Sequence, residues 1–216
     1  MAYGESLGKL NPCSDALIAD LLRRALPDAH DLLDLACGRG ERLAFLSGAF
    51  PKLRLSGIDA DAENAAAAAE RCPGAEITSG DAAALPYGDG AFAAVLCECS
   101  FSLFEKPRLC AAEISRVLCP GGVLLLGDLY AGRAPQAAER IAENGTVKNI
   151  YGRKTLEDFF ADAGLRAEHF DERSGDLTQM LGQMLMDGVL CGCLGTDALM
   201  QMKRIGTGYG LWLFRR

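Results

Sequence analysis

Short apolar runs alternate with helix-forming stretches through the first two thirds of this sequence, and this alternation limits the possible folds more than any other feature. Five runs have the composition of buried strands, at 32–36, 53–58, 75–79, 93–97 and 123–126. Strands that alternate with helices are typical of right-handed crossovers in a parallel sheet. The pattern therefore predicts an α/β protein with a mostly parallel sheet and helices on both of its faces.

The helices between and after these strands have their own signals. A helix is expected over 41–49, and the alanine run 65–69 has the strongest helix propensity in the chain. Pro107 is typical of the first turn of a helix over 106–118. Further helices are predicted over 155–163, 176–187 and 196–204, with strands at 165–170 and 211–214. Residues 131–152 are polar, and we expect them to be less regular.

Composition limits the class of protein. A length of 216 residues favours one domain, and 50% hydrophobic residues are typical of a globular chain. No apolar run reaches the ~20 residues of a membrane helix, and nothing near Met1 resembles a signal peptide, so we expect a cytoplasmic protein without a membrane partner. The formal net charge is −7 and the basic residues are scattered, which disfavours nucleic acid as a partner.

Nine cysteines are many for a chain of this length. Because nothing indicates export, we interpret them as reduced thiols that serve as small apolar residues. Two pairs are close in sequence, Cys97/Cys99 and Cys191/Cys193, but neither has the C-x-x-C spacing typical of zinc sites. No metal is therefore expected.

Acidic and glycine residues mark the ends of the first three strands. Asp34 and the turn Cys37-Gly38-Arg39-Gly40 end the first, Asp59 ends the second, and Gly80-Asp81-Ala82 ends the third. Ligands of open parallel sheets bind beyond the carboxyl ends of the strands. Small residues let a ligand approach the backbone, and carboxylates in these places can accept hydrogen bonds from ribose hydroxyls and an adenine amino group. Helix capping is the alternative role for Asp59 and Asp81.

A dinucleotide site is the nearest competitor. Its G-x-G-x-x-G fingerprint fails here, because counting from Gly38 and Gly40 places Leu43 at the third glycine. Asp34 would also repel a pyrophosphate, whereas it suits a cationic sulfonium ligand that carries an ammonium group.

At these residues the chain resembles the class I S-adenosylmethionine-dependent methyltransferases. Asp34 to Gly40 is similar to their motif I, D-x-G-x-G-x-G; Asp59 is similar to the end of motif II and Gly80-Asp81-Ala82 to motif III. The segment Arg116 to Gly122 is similar to the family's R-V-L-K-P-G-G. The resemblance covers about residues 30–130 and is closest to the small-molecule branch that includes ubiquinone and menaquinone biosynthesis enzymes. Ala36 replaces the first glycine of motif I, a tolerable change if the backbone stays extended there, and Cys119 replaces a common lysine.

The resemblance implies a Rossmann-like, doubly wound sheet of seven strands with the last one inserted antiparallel. It implies one methyltransferase domain over 1–216, with an N-terminal arm and helix at 1–29, a cofactor-binding core at 30–130, and substrate-cap segments at 131–152 and 174–206. The implied cofactor contacts are Asp34 with Ala36, Cys37, Gly38 and Gly40 at the methionine part and ribose, Asp59 and Ala60 at the ribose, Gly80, Asp81 and Ala82 at the adenine, and Cys97 beside them.

The acceptor side is less well marked. Glu98 ends the fourth strand, where it would orient an acceptor or remove a proton; a structural role is an equal alternative. Cys97 and Cys99 would point the opposite way if the strand persists that far. Asp128, Tyr130 and Tyr151 are further candidate substrate contacts, with surface or packing roles as the alternative. His30 and His169 lie away from the carboxyl strand ends, so no catalytic histidine is expected.

The sequence thus predicts transfer of a methyl group from S-adenosylmethionine to an unidentified small molecule. The alternative is a chain that binds the cofactor without catalysis, or that serves as a partner subunit. A further alternative is an arsenite- or thiol-directed methyltransferase, because thiols flank Glu98. The methionine-rich stretch from Met180 to Met202 is interpreted mainly as core, with a substrate lid or a homodimer surface left open.

Overall fold

A computed structural model describes residues 11–25, 30–133, 138–143, 146–186 and 196–216 of the chain. Its strands are β1 (Asp31–Leu35), β2 (Arg54–Asp59), β3 (Glu76–Ser79), β4 (Phe92–Glu98), β5 (Leu118–Ala131), β6 (Ala138–Glu143), β7 (Thr146–Tyr151), β8 (Arg166–Glu172) and β9 (Thr207–Arg215). Its helices are α1 (Asp15–Ala25), α2 (Glu41–Ala49), α3 (Ala62–Arg71), α4 (Pro107–Val117), α5 (Arg153–Asp162), α6 (Ser174–Met186) and α7 (Thr196–Ile205), with a 3₁₀ turn at Phe101–Leu103.

Seven strands form one sheet in the order β3-β2-β1-β4-β5-β9-β8. Strands β1 to β5 are parallel, and β9 is antiparallel to both of its neighbours. The inner strands β1 and β4 are buried along almost their whole length, as expected for a sheet covered on both faces. The predicted fold class, including the antiparallel last strand, is confirmed.

Two apolar cores cover the two faces of the sheet. On the first face the sheet packs against α1, α2, α3 and α6, through residues such as Ile18, Leu43, Ala68 and Leu177. On the second face it packs against α4 and α5, through residues such as Ile114 and Phe160. The alternation of side chains along each strand therefore assigns every site residue to one face or the other.

The structure corrects the expectation for residues 131–152. Instead of an irregular segment, β6 and β7 pair as an antiparallel hairpin outside the main sheet. The pairing of Ala138 with Tyr151 begins the hairpin beside the end of β5. Because its polar sequence lacks the alternation of a half-buried strand, periodicity gave no signal for it.

The methionine-rich stretch only partly meets the expectation of a core role. Met180, Leu181 and Met202 pack against the first core, whereas Leu185, Met186 and Met200 are exposed. Cys191 and Cys193 lie outside the described residues. Within the described part of the chain, no helix is both long and apolar enough to cross a membrane.

Candidate functional site

The turn after β1 is built from three residues with left-handed backbone. Ala36, Gly38 and Gly40 have φ of 59°, 55° and 80°, a region that favours glycine. The turn is held at its base by the Cys37 amide, which donates to the Ile58 carbonyl of β2 at 3.0 Å. The expectation that the backbone at Ala36 stays extended is therefore wrong, and alanine occupies a conformation for which the glycine of motif I is better suited.

Helix α3 lies directly against this turn. A Cβ at Gly40 would lie 3.0 Å from both the Cα and the Cβ of Ala68, which is tighter than most real Cβ contacts. Ala68 itself is fully buried. The helix and the turn can therefore be in contact because Ala68 has a small side chain and Gly40 has none.

Asp59 connects the turn to the end of β2. Its Oδ2 accepts a hydrogen bond from the Gly38 amide at 2.8 Å, and its Oδ1 accepts from the Asp61 amide at 3.0 Å. The cap of α3 is Asp61, whose carboxylate accepts from the amides of Glu63 and Asn64. The helix-cap alternative is therefore wrong for Asp59, which instead fixes the glycine turn. Its Oδ1 also accepts a hydrogen bond from the Asn64 side chain at 3.5 Å, whereas its Oδ2 has a second lone pair for a further donor.

The end of β3 lies beside Asp59. The Gly80 amide donates to the Asp59 carbonyl at 2.9 Å, and Asp81 accepts from the Ala83 amide at 2.8 Å. Asp81 is exposed and Ala82 is buried, and residues 81–84 form a turn rather than a helix. Asp81 is thus not a helix cap either, and its carboxylate stands at the edge of the sheet next to Asp59.

Asp34 lies behind the turn, inside β1, on the first face of the sheet. Its side chain is buried, and its Oδ2 has no hydrogen-bond partner among the described residues. Burial, reinforced by the negative charge of Glu98 and opposed by Arg42, raises the pKa of Asp34 to about 8. A buried carboxylate with an unpartnered oxygen is a costly arrangement, and a cationic group that hydrogen-bonds to it would remove that cost.

Glu98 does not stand free over the site. Both of its oxygens are bound by Arg42 of α2, at 2.6 Å from Nε and 3.0 Å from Nη2. Burial raises the pKa of Glu98, and the ion pair with Arg42 opposes that rise. The same guanidinium also pairs with Asp15 and donates to the Cys13 carbonyl at 3.1 Å.

The two thiols beside Glu98 lie on opposite faces. Cys97 is fully buried in the second core, whereas Cys99 packs against the first core and donates to the Tyr209 hydroxyl at 3.5 Å. The expectation that both point away from Glu98 holds for Cys97 and fails for Cys99, because β4 ends at Glu98 and Cys99 has a φ of 55°. Burial raises the pKa of both thiols, to about 12 for Cys99, so neither is a thiolate near neutral pH.

The candidate substrate contacts lie on the second face, apart from Asp34 and Glu98. Asp128 is fully buried and accepts from the amides of Ser102 and Leu129, each at 2.7 Å. The Tyr151 ring packs edge-on against Phe159, with centroids 5.0 Å apart. Tyr130 donates to Glu172 at 3.4 Å. The structure therefore brings Asp34, Gly38, Asp59 and Asp81 together and leaves Cys97, Asp128, Tyr130 and Tyr151 outside that group.

Comparison with known proteins identifies the central segment. Residues 33–126 match the family model described as a methyltransferase domain. This segment is a methyltransferase domain. The family resemblance predicted from the strand ends is therefore confirmed.

Relatives of this methyltransferase domain are named for different acceptors, among them a fatty acid and demethylmenaquinone. The demethylmenaquinone methyltransferase of Thermotoga maritima is 30% identical over 112 residues, which are 52% of this chain and 48% of that enzyme. The chain spans less than half the length of the first curated relatives that it matches.

Two solved structures are similar in fold. The [4+2]-cyclase SpnF has a TM-score of 0.76 at 21% identity, over 98% of this chain and 85% of that one. Geranyl diphosphate methyltransferase in complex with S-adenosylmethionine has a TM-score of 0.75 at 20% identity, over 94% and 85% of the two chains. At these identities the likeness shows the fold of the methyltransferase domain.

Arg42 is the site residue that sequence reasoning missed. It lies two residues after the glycine turn of the methyltransferase domain and is almost completely buried. A basic residue at the start of a helix opposes the helix dipole, which was the available signal that a buried anion would be its partner.

Proposed function

We propose that this chain transfers a methyl group from S-adenosylmethionine to a small-molecule acceptor. The observation that carries the proposal is the buried Asp34 carboxylate, beside a turn that Asp59 holds in place. Its Oδ2 has no hydrogen-bond partner in the part of the chain that the structure describes. S-adenosylmethionine has an ammonium group that can pair with Asp34, and ribose hydroxyls that can donate hydrogen bonds to Asp59.

The proposed contacts follow the order of the strands. Asp34 and the turn over Ala36, Cys37, Gly38 and Gly40 hold the methionine part, and Asp59 with Ala60 holds the ribose. The end of β3, with Gly80, Asp81 and Ala82, faces the adenine. Cys97 contributes only as backbone at the end of β4, because its side chain is buried in the second core.

When bound, the cofactor supplies a sulfonium-activated methyl group whose carbon is attacked by the acceptor, and the C–S bonding electrons go to sulfur. The chain contributes alignment, which accounts for a large part of the barrier lowering in such displacements. Glu98 is not assigned as the base in this proposal, since Arg42 occupies both of its oxygens.

Acceptor binding is assigned to the elements that cover the carboxyl edge of the sheet. The end of β8 and the start of β9 lie at this edge, because Asp128 of β5 pairs with Gly210, and Gly210 pairs with Glu172. Helix α6 begins at this edge, directly after β8, and α7 ends there, directly before β9. Strand β7 packs against the 3₁₀ turn that follows β4. We infer that 131–152 and 174–206 form the acceptor cap of a single domain.

A small acceptor fits the charge of the chain better than nucleic acid does. A net charge of −7 without a basic cluster offers nothing to a phosphate backbone. We also propose a cytoplasmic location for the reaction. The exposed Leu185, Met186 and Met200 are the surface on which a homodimer would form.

Cofactor binding without methyl transfer is the second candidate. A protein with this fold carries the name of a [4+2]-cyclase, and a shared fold does not fix the reaction. The proposed function is tested by incubating the protein with methyl-labelled S-adenosylmethionine and fractionated extracts of small molecules, proteins and nucleic acids. Label in a small-molecule product is expected. Binding of the cofactor with no labelled product in any fraction would favour the second candidate, and label in a protein or nucleic acid would contradict a small acceptor.

A further inference from the structure

The N-terminal residues 13–15 are attached to the end of β4 through one buried guanidinium. Arg42 binds Glu98 with two of its nitrogens, and it reaches the other way to the Cys13 carbonyl and the Asp15 carboxylate. The Arg42 and Glu98 side chains are only 5% and 4% exposed, whereas that of Asp15 is 44% exposed. The chain of contacts thus runs from the solvent edge of α1 into the centre of the candidate site.

This chain of charges lies next to the proposed cofactor site. Glu98 follows Cys97, which pairs with Leu35 at the end of β1, and Arg42 lies two residues after the glycine turn. The charges of Glu98 and Arg42 both act on the pKa of Asp34. Glu98 also acts on the pKa of Cys13, which burial raises to about 12. Asp34 and residues 13–15 therefore both lie close to the Arg42–Glu98 pair.

We propose that Arg42 is a positioning residue that fastens residues 13–15 over the methionine end of the cofactor site and slows release of the cofactor. The inference rests on the proposed function. A planar guanidinium suits this role because it binds a carboxylate with two parallel hydrogen bonds and still has a donor for a third partner. Glu98 acts in this account through Arg42: it fixes the orientation of the guanidinium.

The test uses the exposed end of the chain of contacts, because Asp15 can be changed without burying an unpaired charge. Asp15→Ala is compared with Asp20→Ala, which removes another carboxylate from the same helix. Among the described residues, Asp20 forms an ion pair with the exposed Arg24. Dissociation of labelled S-adenosylmethionine is followed after addition of excess unlabelled compound, at low and at high salt. We expect Asp15→Ala to dissociate the cofactor about two to five times faster, the effect of losing a partly exposed ion pair.

Salt dependence separates fastening from a general loss of structure. Screening weakens the Asp15–Arg42 pair in the wild-type protein, so its dissociation rate is expected to rise with salt more than that of Asp15→Ala. Asp20→Ala should behave like the wild type at both salt concentrations. Equal rates in Asp15→Ala and Asp20→Ala would overturn the inference.

Variants of Arg42 test the buried end. Arg42→Lys keeps the charge but not the paired hydrogen bonds, and it is expected to restore part of the slow dissociation that Arg42→Gln loses. If Arg42→Gln does not fold because Glu98 stays buried without a counter-charge, the double variant R42Q/E98Q removes both charges and carries the same expectation. No S-adenosylmethionine binding by the wild type would overturn the proposed function and this inference together, whereas wild-type binding with unchanged rates in the Arg42 variants would overturn the inference alone.

Discussion

Asp34 lies in surroundings that disfavour a charged carboxylate. Its side chain is buried, its Oδ2 lacks a hydrogen-bond partner among the described residues, and the nearby cation Arg42 is already paired with Glu98 and Asp15. Burial and Glu98 raise its pKa in the folded state to about 8, far above the value near 3.9 of an unfolded chain.

The first prediction concerns the pH dependence of stability through Asp34. Between about pH 4 and pH 8 the folded state keeps a proton that the unfolded state has lost, so this group makes stability fall as the pH rises through that window and level off above it. Asp34→Asn removes this contribution. The free energy of unfolding of Asp34→Asn minus that of the wild type should therefore grow with pH, by at most about 1.4 kcal/mol per pH unit. Urea unfolding at several pH values measures it. The control is Asp31→Asn on the same strand, a partly exposed carboxylate that pairs with the exposed Arg54. A constant difference for Asp34→Asn would contradict the account.

The second prediction concerns the left-handed alanine of motif I. A non-glycine residue at positive φ costs about 1–2 kcal/mol, and glycine loses about 0.5–1 kcal/mol through its greater freedom in the unfolded chain. Ala36→Gly is therefore expected to raise the free energy of unfolding, by about 1.5 kcal/mol at most. Gly38→Ala, at a similar φ with no atom within 4 Å of the new Cβ, should lower it. A destabilised Ala36→Gly variant would show that φ at this position does not limit stability.

At the scale of single elements, the strands and helices of the methyltransferase domain follow from local patterns. Helix α2 has the predicted bounds, and α4 begins at Pro107. The β6–β7 hairpin does not follow from them: β7 contacts the end of β5 and the 3₁₀ turn, and its Ile150 and Tyr151 are buried in the two cores, yet its sequence lacks the alternation typical of a strand. The left-handed backbone at Cys99 could not be predicted from the sequence either, since no glycine occupies that position.

The third prediction concerns the contact of α3 with the glycine turn. Ala68 is buried against Gly40 and Ala69 is exposed on the same helix, so the two positions form a matched pair. Ala68→Val should lower the free energy of unfolding by about 1–3 kcal/mol, because added methyl groups in a tight contact force the backbone apart. It should also weaken S-adenosylmethionine binding, since the turn moves.

Ala69→Val is the control, and only the small loss of helix propensity is expected from it. Thermal or urea unfolding and cofactor titration of both variants make the measurement. Equal effects at the two positions would contradict the packing of α3 against the turn.

For the whole molecule, topology explains why part of the site was predictable and part was not. The residues that the strand ends marked, Asp34, Gly38, Asp59 and Asp81, meet because parallel neighbours bring their carboxyl ends to one edge. The predicted acceptor residues Asp128, Tyr130 and Tyr151 share that edge but lie on the second face. Which face a residue occupies after a strand ends depends on the turn that follows, and a single sequence does not reveal it. Arg42 entered the site through tertiary pairing with Glu98, a contact 56 positions apart in sequence.

The most direct test of the account is calorimetric titration of S-adenosylmethionine into the wild-type protein, Asp59→Ala and Asp61→Ala. Asp61 is the matched control because it caps α3 two residues away and has no proposed contact with the cofactor. The account predicts a dissociation constant on the order of micromolar for the wild type, at least about tenfold weaker binding by Asp59→Ala, and nearly unchanged binding by Asp61→Ala. A folded wild-type protein that binds no S-adenosylmethionine, or an Asp59→Ala variant that binds it as tightly as the wild type does, would contradict the central claim.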